Sequence, residues 1–471
     1  MGSYNGYCWG RRLSVGCRST FRARCFFVAA ILLACAALAH ASATLLLEEP
    51  YGKLGFFTAT GHAAVYLSNV CADSPTHLRR CNPGETGIVI SRYEGMDYDW
   101  LAVPLIPYLY AVEKPEDVPL VADTKLVAFL RDRYRRDHLE AIAPDSADGE
   151  TPAGHWNQLV GSAYDRNIYG FTIETTSAQD AALIDRLNSS PNQSHFHLLT
   201  NNCADFAKSI INFYYPKSLH RSLIADLGIT TPKQLAKRMV KFDARNPELA
   251  SSRIVIPQVP GSMARSSTAH GVVESFFTSK KYIVPSAIFS PIFAGSVFAV
   301  YVATGADTFT PDKNARVLDP DGDSDQPLSS ADRKQYQKRL KSFLKESGAA
   351  TPADDLVREC GKLESKSHWD LDDSGAPVFE IPFEGRLVRV GATADNIMDL
   401  NTPPQLIREL LVARLQSELR QSRPKNGLSR AAVARDWRLL QQAQRAIADS
   451  DAGIKLVSSQ TSMRASVGSG P

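Results

Sequence analysis

The sequence lacks the features that mark several functional classes. Its 53 lysine and arginine residues nearly balance its 50 acidic ones, leaving a net charge of +3. No sustained basic run with interleaved aromatic residues occurs, so nothing favours a nucleic-acid-binding protein. No internal repeat is visible, which argues against a solenoid or propeller. With 471 residues, the chain is long enough for two or three domains.

Cysteine is scarce and unevenly placed. Four of the eight cysteines precede residue 44, the first plausible mature region. Cys71 and Cys81 bracket the polar stretch "CADSPTHLRRC" and would pair as a disulfide in an oxidising compartment. A zinc site needs more ligands than this stretch offers, because only His77 lies nearby. We therefore expect neither a metal nor a cofactor.

The N-terminal segment has the layout of an export signal. Several arginines and no acid precede the apolar run "CFFVAAILLACAALAHASA", which ends in small residues. This pattern predicts a signal peptide over residues 1–43, cleaved after Ala41 or Ala43. An uncleaved signal anchor is the alternative.

A second apolar segment, residues 282–306, carries no charge. Its length predicts a transmembrane helix, and a buried core helix or hairpin is the alternative. A cleaved signal would place residues 44–281 on the periplasmic or extracytoplasmic side, whereas Lys280 and Lys281 favour the reverse orientation. We predict a cell-membrane protein, single-pass or two-pass, with residues 44–281 outside the cytoplasm.

The rest of the chain divides by composition. Residues 44–220 alternate strand-like and helix-like stretches, which predicts one α+β domain. "HFHLLT" is expected to be the strand that leads into the helix "NNCADFAKSIINFYY". The remaining ranges are an accessory segment (221–281), a flexible linker (307–330), a small helical or α+β interaction domain (331–455) and a disordered tail (456–471).

Cys203 lies where that last strand would turn into the helix. A lone cysteine is most often a buried packing residue. A helix N-terminus, however, carries partial positive charge and unpaired N–H groups, which lower a thiol's pKa. The position therefore makes Cys203 a candidate nucleophile, and Asn202 before it a candidate helix cap rather than a catalytic residue.

A cysteine nucleophile needs a base, and His62 is the best placed histidine. It begins the strand "HAAVYL", follows Gly61 and shares a face with Ala64 and Tyr66. His195 and His197, just before Cys203, are interpreted as structural.

Together, "GHAAVYL" and "NNCADFA" resemble the circularly permuted branch of the NlpC/P60 papain-like superfamily. That branch includes lecithin:retinol acyltransferase-like proteins and bacterial membrane-associated families. The resemblance covers roughly residues 55–215 and implies a papain-like core, in which a small antiparallel sheet packs on the cysteine helix. It makes Cys203 the nucleophile and His62 the base and acid. The orienting third residue would be Ser91, with Tyr93 as a rival, although the family more often uses His, Asn, Gln or an acid.

The resemblance implies acyl transfer through a Cys203 thioester. We expect an exported, membrane-anchored amidase or peptidase that acts on peptide bonds of the envelope, such as peptidoglycan stems. Two alternatives stay open: a phospholipid acyltransferase on the same fold, and a non-catalytic protein that binds a peptide or lipid. The C-terminal domain would bind a protein partner.

Overall fold

The protein is described by a computed structural model, which covers residues 41–52, 57–224, 226–249, 251–303, 308–320, 324–346, 367–398, 401–420 and 428–467. The predicted export signal lies outside the described residues except for its last three. Of those, Ser42 and Ala43 already belong to the first strand.

Eight of the described strands form one sheet, in the order β10-β9-β8-β7-β1-β2-β5-β6. Neighbours are antiparallel except for β8 and β9, which are parallel. β3 and β4 form a separate hairpin, and β11 to β13 a three-stranded sheet. The strands are β1 (Ser42–Glu48), β2 (His62–Leu67), β3 (Val70–Ser74), β4 (His77–Arg80), β5 (Ile88–Ser91), β6 (Leu101–Pro104), β7 (Ile168–Glu174), β8 (Ser252–Ile256), β9 (Arg316–Leu318), β10 (Ser324–Asp325), β11 (His368–Leu371), β12 (Pro377–Phe383) and β13 (Arg386–Gly391).

Helices follow and cover these strands. Short 3-10 turns also occur at Phe57–Thr60, Pro115–Asp117 and His155–Gln158. The α-helices are α1 (Leu105–Tyr110), α2 (Thr124–His138), α3 (Ser162–Asp165), α4 (Ser177–Asn188), α5 (Cys203–Tyr214), α6 (Pro232–Arg245), α7 (Val272–Thr278), α8 (Lys280–Phe289), α9 (Pro291–Ala303), α10 (Ser330–Glu346), α11 (Pro404–Arg420) and α12 (Arg430–Val467).

Two hydrophobic cores lie on opposite faces of the large sheet. On one face, Leu45 and Leu47 of β1 and Val65 of β2 belong to the core that contains apolar residues of α4, α5 and α6. On the other face, Leu46 and Ala64 belong to the core that contains α1 and α2. Helices thus cover both faces of a largely antiparallel sheet, and the predicted mixed α+β class is confirmed.

β1 is the strand that the sequence analysis missed. Its stretch "SATLLLE" is buried almost throughout, because it lies between β2 and β7 in the middle of the sheet. A strand covered on both faces shows a continuous apolar run rather than alternation, and here that run directly follows the apolar export segment. The sheet also takes β8, β9 and β10 from segments that were assigned to an accessory region and a linker.

Two predicted elements differ in the structure. "HFHLLT" is a turn closed by a bridge between His197 and Asn201, not a strand. The segment 282–306 contains parts of two helices, α8 and α9, which are separated at Ser290. The break has a local cause, since Pro291 lacks an N–H and disfavours a helical conformation of the residue before it. None of the helices in the described residues combines the length and apolar character needed to cross a bilayer.

The C-terminal part, expected to be a small helical or α+β domain, contains a hairpin and helices. β12 and β13 turn through Glu384 and Gly385, both at positive φ, and α11 and α12 follow. α12 continues to Val467, inside the range for which disorder was predicted. The stretch "SSQTSMRASV" is polar but has no glycine or proline to end a helix.

The Cys71–Cys81 disulfide is present. The intervening residues are not a loop but the β3–β4 hairpin, which turns at Pro75 and Thr76. The bond links the beginning of β3 to the residue that follows β4.

Asp243 is a buried carboxylate whose effect on stability depends on pH. Only 9% of the residue is exposed and its Oδ1 has no hydrogen-bond partner. Burial raises its pKa from 3.8 to about 6, so its stabilising contribution is present below pH 3.8 and is lost as the pH rises through 6.

We therefore expect Asp243→Asn to increase the free energy of unfolding by about 1–3 kcal/mol at pH 7 and to have little effect at pH 3.5. Thermal unfolding at both pH values measures this. Glu248→Gln, at an exposed position, is the control. An equal gain at both pH values would contradict the explanation.

Candidate active site

Cys203 is the first residue of α5, as the sequence predicts. Asn202 caps the helix, because its side chain accepts a hydrogen bond from the Asp205 N–H at 3.0 Å. The helix buries Phe206, Ile210 and Ile211 against the sheet. This packing fixes the N-terminal turn of α5 over β2 and leaves Cys203 half-buried as the one free cysteine in the described part of the chain.

His62 is the first residue of β2 and pairs with Glu48, the last residue of β1. Gly61 makes this pairing possible. Its φ is +76°, and a Cβ there would lie 2.1 Å from the Glu48 carbonyl oxygen. Only glycine allows both the left-handed backbone and the close approach, so Gly61 determines where the histidine strand begins.

Ser91 fixes the tautomer of His62. Its hydroxyl donates to the Ala63 carbonyl at 2.8 Å, and its Oγ lies 2.9 Å from Nε2 of His62. A serine hydroxyl has a single hydrogen, so Oγ must accept the second bond and Nε2 must be the protonated nitrogen. Nδ1 is then the basic nitrogen, and no hydrogen bond to it occurs within the described residues. Ser91 therefore contacts the residue that it was predicted to orient, and its catalytic role stays a prediction.

Tyr93, the rival candidate, makes a different contact. Its ring stacks on the His62 imidazole with centroids 5.1 Å apart, and the residue is 3% exposed. It holds the plane of the ring and does not bond to its nitrogens. The two residues proposed as alternatives thus both restrain His62.

The Cys203 sulfur lies beside the backbone of the histidine strand. The N–H groups of Ala63 and Ala204 hydrogen-bond to it and favour the thiolate. No hydrogen bond between this thiol and the imidazole is found among the described residues. The three predicted residues are brought to the beginning of β2, and two of them, His62 and Ser91, are in direct contact. In free enzymes, catalytic hydrogen bonds are often long and tighten only in the complex.

The expectation of a lowered pKa for Cys203 is wrong. Burial raises this pKa from 9.0 to about 11, and the two N–H groups offset only part of the effect. Burial, together with the charge of Arg166, lowers the pKa of His62 from 6.5 to about 3. Near pH 7 both side chains are therefore neutral.

A buried ion pair beside His62 was not predicted. Nη1 of Arg166 lies 3.2 Å from Oε2 of Glu48, and the Tyr108 hydroxyl donates to the same carboxylate. Glu48 is fully buried and Arg166 is 4% exposed. Burial raises the pKa of Glu48, while Arg166 and Tyr108 lower it. The sequence did contain a sign of this buried charge, because two acids, Glu48 and Glu49, end the apolar run of β1.

The other predicted histidines stay apart from this site's hydrogen bonds. His195 is exposed and lies 3.9 Å from Asp99, and Nδ1 of His197 bonds to Thr200 within its own turn. Among the described residues, one group with metal-ligand types is close enough to share an ion, namely Cys71, Cys81 and Glu85. The disulfide occupies both sulfurs, so that group offers no thiolate.

Comparison with known proteins identifies no relative of this chain. No protein-family model, curated protein or solved structure gives a significant match to the chain. The chemistry of this site is therefore argued from its own geometry.

Proposed function

We propose that the protein is a cysteine hydrolase that acts by acyl transfer through a Cys203 thioester. The observation that carries the proposal is the Ser91–His62 hydrogen bond at the beginning of β2, the strand whose backbone lies beside the Cys203 sulfur. This bond makes Nδ1 the basic nitrogen, and burial keeps the imidazole neutral. Ala63, the next residue, provides an N–H group that bonds to the sulfur.

The reaction begins with proton transfer from the thiol to Nδ1 of His62 as the sulfur attacks the substrate carbonyl. The carbonyl carbon gains the C–S bond, and its oxygen becomes an oxyanion. The N–H groups at the beginning of α5 favour negative charge there. The imidazolium then protonates the departing amine or alcohol, the bond from the acyl carbon breaks, and a thioester remains. Water, deprotonated by His62, releases the acid and restores the thiol.

We propose an amide or peptide substrate in an envelope compartment. The disulfide supports this location, because such bonds persist in oxidising compartments. The papain-like core, the export signal and attachment to the membrane belong to the same proposal.

A second candidate is a non-catalytic module that binds a peptide or lipid. It is favoured by the raised pKa of Cys203 and by the missing thiol–imidazole bond in the described residues. In that case Cys203 would pack and not react.

Incubation with p-nitrophenyl acetate separates the two candidates. We expect an acetyl group on Cys203, located by peptide mass mapping and removed by neutral hydroxylamine, which cleaves thioesters. Cys203→Ala is the control and should show no such adduct. An unmodified Cys203 in folded protein would rule out the hydrolase and leave the binding module.

A further inference from the structure

Two loops beside the Cys203 helix expose large apolar side chains. The exposed fractions are 38% for Leu198, 42% for Leu199, 79% for Leu223, 65% for Ile224 and 68% for Leu227. Single exposed apolar residues are ordinary. Five on two short loops form a patch, which more often marks an interaction surface.

Hydrogen bonds hold the two loops next to each other. Nδ2 of Asn202 donates to the Leu198 carbonyl at 2.9 Å and to the Thr230 carbonyl at 3.1 Å. Nη2 of Arg221 donates to the Thr200 carbonyl at 2.9 Å. The apolar side chains therefore lie on adjoining segments around the N-terminal turn of α5.

A basic cavity of about 520 Å³ opens beside the second of these loops. Leu223 and Ile224 line it together with five cationic and two acidic side chains. Glu274 is paired with Lys233 and Asp226 accepts from the Val272 N–H. Arg221 is paired with Asp205, so the excess of positive charge lies on Lys237, Arg238 and Lys241. The cationic residues are Arg221, Lys233, Lys237, Arg238 and Lys241.

The end of α9 extends this surface. Ala303, its last residue, lines the basic cavity. Val302 and Phe298, within its last two turns, are 60% and 50% exposed. Exposed apolar groups and an excess of positive charge thus meet at one cavity.

We propose that this surface docks on an anionic lipid bilayer. Apolar side chains that enter the acyl boundary, together with lysine and arginine at headgroup level, are the combination by which proteins bind to the bilayer interface. The charge favours an anionic headgroup over a neutral one. A nucleic acid would use the cations but not the exposed leucines. The proposal does not depend on whether Cys203 reacts.

Co-sedimentation of the full chain with vesicles tests the surface. We expect affinity for phosphatidylcholine vesicles to rise about tenfold or more when phosphatidylglycerol is included, because lysine and arginine side chains near the surface are attracted to anionic headgroups. The gain should fall as salt is raised. Leu223→Ser/Ile224→Ser and Lys237→Glu/Lys241→Glu should each lose about tenfold in affinity.

Two control variants make the same kinds of change away from this surface. Leu387→Ser removes an apolar residue that is 71% exposed on β13, and Lys334→Glu/Lys338→Glu reverses exposed charges on α10. Both, like Cys203→Ala, should bind as the wild type does. Equal affinity for the two vesicle types would overturn the proposal. So would unchanged binding by both test variants, which is the result expected if the surface serves a protein partner or if another part of the chain binds lipid.

Discussion

Replacement of His62 by alanine should slow acylation of Cys203 by about 100-fold near pH 7, the lower end of the usual contribution of a general base, because an imidazole whose pKa is about 3 is a weak base. With the pKa of Cys203 near 11, about one thiol in ten thousand is ionised at pH 7. In His62→Ala, only this ionised fraction of Cys203 can attack the ester. The wild type instead transfers the proton to His62 during attack, so it does not depend on prior ionisation.

The pH dependence of the acylation rate distinguishes the wild type from His62→Ala. The pKa of His62 is about 3, so the base is already neutral over the whole range from pH 5 to 9. We expect the wild-type rate of acylation by p-nitrophenyl acetate to be nearly constant there. The rate of His62→Ala should rise about tenfold per pH unit, because it follows the thiolate. Pre-steady-state release of p-nitrophenol measures both profiles.

Ser91→Ala is the matched variant, since it keeps the imidazole but removes the acceptor for Nε2–H. We expect a smaller loss of rate and a profile that stays flat. A wild-type thiol that titrates well below 9 would show a resting thiolate–imidazolium pair and contradict the neutral pair. A rate indifferent to His62 would mean that Cys203 acts without this base.

The sequence was informative where the pattern is local. Asn202 precedes the helix it caps, and the strand that carries His62 shows its β-formers directly. Ser91 could be placed because it lies at the end of the strand next to β2. These features need only a few neighbouring residues and a periodicity, which a single sequence contains.

The sequence was misleading where burial decides. The helix N-terminus does favour the Cys203 thiolate, but the surrounding core opposes it more strongly, and burial of this kind follows from the whole packing. In the same way, β1 cannot be told from an apolar run without knowing that β2 and β7 flank it. Arg166 lies 118 residues from Glu48, so nothing in the local pattern joins them.

Removal of Arg166 should be the most damaging single change to stability that we predict. Arg166→Met leaves the Glu48 carboxylate fully buried. The Tyr108 hydroxyl still donates a hydrogen bond to it. Breaking a buried pair from one side costs about 3–5 kcal/mol. The change also removes the guanidinium that lies 4.4 Å from the centre of the Tyr51 ring. Urea unfolding at pH 7.5 measures the loss.

The sign of the pH effect follows from Glu48. Burial already raises its pKa above 4.5 despite Arg166, and without the guanidinium the folded pKa rises further. A group with a raised folded pKa stabilises the fold below its unfolded value and loses that contribution as pH rises. The deficit of Arg166→Met should therefore be largest at pH 7.5 and smallest near pH 4. Glu48→Gln/Arg166→Met should recover part of it, because no charge is then buried alone. A deficit that is equal at both pH values and unchanged in the double variant would show that Arg166 stabilises by packing on Tyr51 and not by its charge.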